Sequence, residues 1–157
     1  MKRVNVISTV ITGCALASCA AAVVAPAVEQ SAAAANSFTL AANLTGGAVV
    51  PGPADSDGNG TARIRFAPEG EGNVCFELAV RNIEPATMAH IHGGTATEVG
   101  GPPLVILGTP SASGEANGCA SAPQRLVDAI RANPSNFFVT IHNSPFPGGA
   151  LRGQFPG

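Results

Sequence analysis

Three side chains in this 157-residue sequence have both the type and the spacing to do chemistry: His90, His92 and His142, the only histidines present. His90 and His92 flank Ile91, and side chains of a strand alternate between faces, so a strand over Thr87–Gly93 sends both imidazoles to one side. His142 ends the run Phe137-Phe138-Val139-Thr140-Ile141-His142, whose β-branched and aromatic content predicts a second strand over Asn136–Asn143. In that strand Val139 and Ile141 share one face, and Phe138, Thr140 and His142 share the other. With the aliphatic face inward, all three imidazoles point outward, and on neighbouring strands they would form a surface site for a transition metal. Imidazole nitrogen suits copper and zinc. The competing reading makes the three rings polar strand residues satisfied by hydrogen bonds, with no metal.

The elements that must position them are short strands punctuated by turns. Phe38, Leu40, Ala42 and Leu44 alternate with polar residues, as do Ala62, Ile64 and Phe66, and then Val74, Phe76, Leu78 and Val80. Pro103 to Leu107 is a short apolar run, and Ala150 to Phe155 follows Gly148-Gly149 as a last strand. Turn residues separate them: Pro51-Gly52-Pro53, Gly58-Asn59-Gly60, Glu69-Gly70-Glu71-Gly72 and Gly100-Gly101-Pro102. The pattern predicts an all-β fold, an antiparallel sandwich or barrel. One short helix is expected, capped by Ser121 with Gln124 three residues on, presenting Leu126, Val127 and Ile130, and ending at Asn133-Pro134. It reads as a lid or connector.

The first 35 residues read as a targeting segment. Lys2 and Arg3 precede an uncharged run from Val4 to Val28, and the alanines up to Ala35 allow cleavage before Asn36. Leu16-Ala17-Ser18-Cys19 also resembles a lipobox, in which Cys19 would be lipidated; an uncleaved anchor is a weaker third reading. Each route predicts a secreted or envelope location, with membrane attachment only through such a lipid or anchor. Export leaves Cys75 and Cys119 as the one mature pair, expected to form a disulfide in an oxidising compartment. A thiolate nucleophile or metal ligand is the alternative, without CxxC spacing to support it. The remaining 36–157 segment suits one domain. Its six arginines are outnumbered by nine carboxylates and form no basic cluster, so no nucleic-acid partner is expected.

The stretches Met88-Ala89-His90-Ile91-His92-Gly93-Gly94, Gly101-Pro102-Pro103-Leu104-Val105, Phe138-Val139-Thr140-Ile141-His142-Asn143 and Phe146-Pro147-Gly148-Gly149-Ala150-Leu151-Arg152-Gly153-Gln154 occur in that order. Together they resemble the CHRD domain, named for its occurrence in chordin and found also in exported bacterial proteins. The resemblance spans about Phe38 to Phe155 and implies an immunoglobulin-like or Greek-key β-barrel with a binding or interaction role, toward an unidentified protein or surface partner. Phe137-Phe138 stand where relatives often carry tyrosines, and Thr140 where they often carry asparagine. The exchange to phenylalanine removes hydroxyls available to a ligand.

The His-X-His stretch is also similar to the copper-binding strand of copper/zinc superoxide dismutases. That family uses a fourth copper histidine and a separate zinc site, for which this chain has no further histidine, so binding is expected ahead of dismutase activity. Arg152 could guide an anion or support the site, but an arginine after a Gly-Gly turn more often pairs with a carboxylate or carbonyl. Asp55-Ser56-Asp57-Gly58-Asn59-Gly60 matches the start of an EF-hand loop, yet Phe66 stands at position twelve, where a glutamate is needed. A turn is the better reading. No GxSxG elbow or phosphate-cradling loop is present. The sequence therefore predicts an exported, non-enzymatic module, with His90, His92 and His142 as candidate ligands for copper or zinc. Purely structural and dismutase-like readings stand as alternatives.

Overall fold

The computed structural model describes residues 37–68 and 72–157. The expected leader, with Cys19 and the cleavage before Asn36, lies outside the described residues, as does most of the Glu69–Gly72 turn. Among the described residues there are eight strands: β1 (Phe38–Thr45), β2 (Asn59–Phe66), β3 (Asn73–Arg81), β4 (Ala86–Gly93), β5 (Val105–Leu107), β6 (Glu115–Ser121), β7 (Phe137–Asn143) and β8 (Leu151–Gln154). One α-helix, α1 (Gln124–Ala132), joins β6 to β7. Among the described residues no helix is long and apolar enough to cross a membrane.

The strands form one antiparallel sheet in the order β5-β4-β7-β8-β1-β2-β3-β6. Its two edge strands, β5 and β6, come into contact, so the sheet curls into a nearly closed barrel. Closure hides most of the unpaired edge that an open sheet would expose. The inward residues of every strand feed one core, including Leu44, Ile64, Val74, Ile91, Val139, Ile141 and Leu151. Hydrophobic alternation with period two therefore does what it predicts: it sends one face of each strand inside.

Two expectations need correction. Ser121 does not cap the helix. It is the last residue of β6, paired with Asn73, and α1 begins after Pro123 with no side-chain cap. The ladder to β3 claims the backbone as far as Ser121, and the fixed φ of Pro123 suits a helix entry. Gln124 instead donates to Asp128 Oδ1 at 2.9 Å, one helical turn away. Strand β6 itself was absent from the sequence reading, because its residues are mostly exposed and show no buried alternation. The helix buries Val127 and Ile130 in the barrel core, which makes it a connector packed into the fold.

Cys75 and Cys119 are direct cross-strand partners on β3 and β6 and form a disulfide. The bridge fastens the weakly patterned edge strand to its neighbour. The Asp55 stretch is a turn, as expected: the Asp55 carboxylate accepts the Gly58 N–H at 3.2 Å.

Candidate metal centre

Strands β4 and β7 pair with His90 opposite Thr140, His92 opposite Phe138 and Met88 opposite His142. Ala89, Ile91, Val139 and Ile141 point into the core, so the histidines leave the other face, as parity predicts. His142 is thus the diagonal neighbour of His90, within reach across a strand pair. The ligand atoms of the three rings all lie within 4.8 Å of one another.

The surface site expected from parity is not what forms. His90, His92 and His142 are only 7%, 9% and 8% exposed, although they sit on the outer face of the barrel. Two loops cover them. The 94–104 loop lies over His92 and Phe138, and the 143–150 loop lies over His142. Outward on a strand does not mean wet when a loop folds back across the sheet.

Those loops fix the rings through their carbonyls. Gly101 O accepts from His92 Nδ1 at 2.9 Å, and Pro147 O accepts from His142 Nδ1 at 3.0 Å. A carbonyl can only accept, so in each ring the proton sits on Nδ1 and the Nε2 lone pair is bare. His142 Nε2 faces His90 Nδ1 at 3.4 Å. With His142 Nε2 an acceptor, His90 Nδ1 is the donor between them. His92 Nε2 is left buried with no hydrogen-bond partner, the only such side-chain atom among the described residues. A buried, unsatisfied acceptor costs about 1–3 kcal/mol, and such groups call for an explanation.

Electrostatics favours the neutral form of His90 and His142. Burial pushes the pKa of His90 down, and the nearby His142 and His92 rings push it further in the same direction. Burial also lowers His142, opposed by its bond to Pro147 and aided by His92. The Nε2 lone pairs of His92 and His142 are therefore available to a metal ion, and His90 Nδ1 joins them once its proton moves to Nε2.

Behind the rings lies a supporting layer. Phe138 stacks on His92 with centroids 5.4 Å apart and planes 12° from parallel. The Arg152 guanidinium lies over the far side of Phe138, 3.5 Å from its centroid. Arg152 donates to Glu98 O and Thr95 O, each at 2.6 Å, and so pins the loop whose Gly101 carbonyl holds His92. The arginine therefore pairs with carbonyls and supports the site from behind Phe138. Gln154 adds bonds to Gly94 O, Ser135 O and Phe137 O. Gly100 lets the loop press this close: its φ is +82°, and a Cβ there would lie 2.5 Å from Phe138 Cζ. On the other side Asn143 Oδ1 accepts the Phe146 N–H at 3.0 Å, shaping the turn that delivers Pro147 O.

The three histidines were legible from spacing; their loop partners were not. Gly101, Pro147 and Asn143 act through a backbone carbonyl or a turn, which residue type alone does not signal. The Gly93-Gly94 and Gly100-Gly101 pairs bracketing the covering loop were the available clue. The phenylalanine at 138, read as a lost hydroxyl, is an apolar spacer between an imidazole and a guanidinium.

The fold and site define a small antiparallel β-barrel with a buried three-imidazole cluster under two loops. The chain belongs to the CHRD family: the CHRD domain model matches residues 40–155. No curated protein and no solved structure matches the chain. Family membership supports a binding or interaction module.

Proposed function

We propose that this chain is an exported binding module that holds one transition-metal ion, copper before zinc, through His90, His92 and His142. The observation that carries this reading is the bare Nε2 of His92, buried without a partner and oriented by the carbonyl behind it. A metal-bound histidine characteristically donates its other N–H to such a carbonyl, which fixes its tautomer and orientation. His142 repeats the arrangement with Pro147 O.

Distance agrees with the chemistry. Two nitrogens each about 2.0–2.1 Å from a tetrahedral ion stand roughly 3.3 Å apart, and the His90–His142 pair is at 3.4 Å. The widest spacing in the cluster, up to 4.8 Å, requires His92 to swing inward by about an ångström or more. Binding through His90 Nδ1 shifts that ring's proton to Nε2 with no net release, and uptake weakens in acid because an imidazolium has no lone pair to offer. The leader supports an oxidising location, where copper and the Cys75–Cys119 bridge coexist.

The test is metal titration of the full-length chain with Cys14→Ser and Cys19→Ser, so that leader thiols do not compete. One Cu(II) or Zn(II) per chain is expected, with affinity reduced about 100-fold or more in His142→Ala. No binding by the parent chain, or equal binding by the variant, would overturn the proposal.

A further inference from the structure

We infer that Met88 supplies a thioether as the fourth donor to the same ion and turns the centre toward Cu(I). The inference rests on the three-imidazole reading and adds to it a residue and an oxidation-state preference.

Strand β4 presents Met88, His90 and His92 on one face at period two, and Met88 is the direct cross-strand partner of His142. Opposite residues in an antiparallel pair have Cβ atoms about 4.5–5.5 Å apart, so the thioether starts beside the His142 ring. Met88 and His92 flank His90 on β4 from opposite directions, so a fourth donor from Met88 approaches on the side His92 leaves open. Methionine has three rotatable bonds and adapts to such a reach. Among the other outward neighbours of the cluster, Ile106 and Phe138 carry no donor atom, and Thr140 offers a hard hydroxyl.

Met88 and Ile106 are the exposed apolar residues paired directly with the cluster strands, and of the two Met88 alone carries a donor atom. Met88 is 45% exposed while the imidazoles on the same face of the strand pair are covered, so the thioether is not committed to the core. Charge points the same way. The donors offered are imidazole nitrogens and a thioether, none of them anionic, and the cationic Arg152 lies buried beyond Phe138. That surrounding opposes a divalent ion more than a monovalent one. Thioether sulfur is a soft ligand that selects Cu(I), whereas Zn(II) gains little from it.

The experiment compares the parent chain with Met88→Leu, both full-length and both carrying Cys14→Ser and Cys19→Ser. Cu(I) affinity is measured anaerobically by competition with a chromophoric chelator, Zn(II) affinity by titration, and the copper environment by X-ray absorption. The expected result is a loss of Cu(I) affinity of about tenfold or more with Zn(II) affinity held within roughly twofold, together with loss of one copper–sulfur distance. Unchanged Cu(I) affinity and a nitrogen-only copper shell in both proteins would refute the role of Met88 while leaving the histidine site standing. Equal loss of both metals would assign Met88 a structural role and also refute it. A parent chain that binds neither metal removes the three-imidazole reading, and this inference with it.

Discussion

The two halves of the barrel wall treat their outer faces differently. In β1, β2 and β3 burial alternates residue by residue, and the outer positions carry exposed groups such as Asn43, Arg63, Arg65 and Glu77. In the second halves of β4 and β7, and in β8, almost every residue is buried on both faces. The first half is an ordinary one-sided sheet, with a core behind it and water in front. The second half has a further layer outside it: three imidazoles, Phe138, Arg152 and Gln154 beneath two loops. Polar groups are costly to enclose, so a second buried layer made of them marks where the fold serves something besides its own core.

The largest expected effect lies in the ordinary half. Replacing Cys75 and Cys119 together by serine leaves β6 held to β3 by its ladder alone and removes a cross-link between residues 44 apart in sequence. The chain-entropy model puts the loss at about 4 kcal/mol, read as a lower midpoint in urea. Metal affinity should be retained in whatever fraction stays folded, because no residue of the cluster lies on these strands. A parallel collapse of metal affinity in folded protein would show that the halves are not separable.

Arg152→Ala is the next effect, and it sharpens the contrast when set beside Arg63→Ala. Arg152 is 2% exposed, stacks on Phe138 and makes two short charge-assisted bonds to loop carbonyls. Its loss is expected to cost about 3 kcal/mol and to loosen the loop that orients His92. Arg63 lies exposed across from Glu77, and removing it should change stability by about 0.5 kcal/mol or less. Equal penalties for the two arginines would erase the distinction between the halves.

Legibility followed the same division. Strict alternation revealed β1, β2 and β3, and parity correctly separated His90, His92 and His142 from Ala89, Ile91, Val139 and Ile141. Strand β6 was hidden because its sequence, Glu115-Ala116-Asn117-Gly118-Cys119-Ala120-Ser121, carries no apolar alternation; pairing to β3 and the disulfide hold it. Burial of the imidazoles was hidden for a different reason. It is produced by loops rich in glycine and proline: the path of the 94–104 loop depends on Arg152 and Gln154, residues distant in sequence, and that of the 143–150 loop on a turn at Asn143. A strand pattern reports which face a residue takes, and it is silent on what later covers that face.

Metal itself should produce a smaller, concentration-dependent effect confined to the second half. An ion that binds only the folded chain stabilises it by about 2.7 kcal/mol at a hundredfold excess over the dissociation constant. The midpoint of thermal unfolding should therefore rise with added copper in the parent chain and in Arg63→Ala, and stay fixed in His142→Ala. A rise of the same size in His142→Ala would place the ion elsewhere.

The smallest effect separates the metal-free cluster from its surroundings by pH alone. His90 and His142 have folded pKa values below the ordinary 6.5, chiefly because burial disfavours the imidazolium. Between the folded and unfolded values the unfolded chain holds the proton and the folded chain does not, so falling pH draws the equilibrium toward unfolding. The contribution of the two rings is complete above about pH 6.5, shrinks as pH drops through that window, and is gone below the folded pKa values. Urea midpoints of the metal-free protein measured from pH 7.5 to 5 should fall, and the fall should be shallower in a His90→Gln, His142→Gln double variant. Since Asp and Glu titrate lower, the onset near pH 6.5 distinguishes the imidazoles from general acid unfolding. An identical slope in parent and double variant would mean that the rings titrate freely, which the covering loops and the neutral tautomers do not allow.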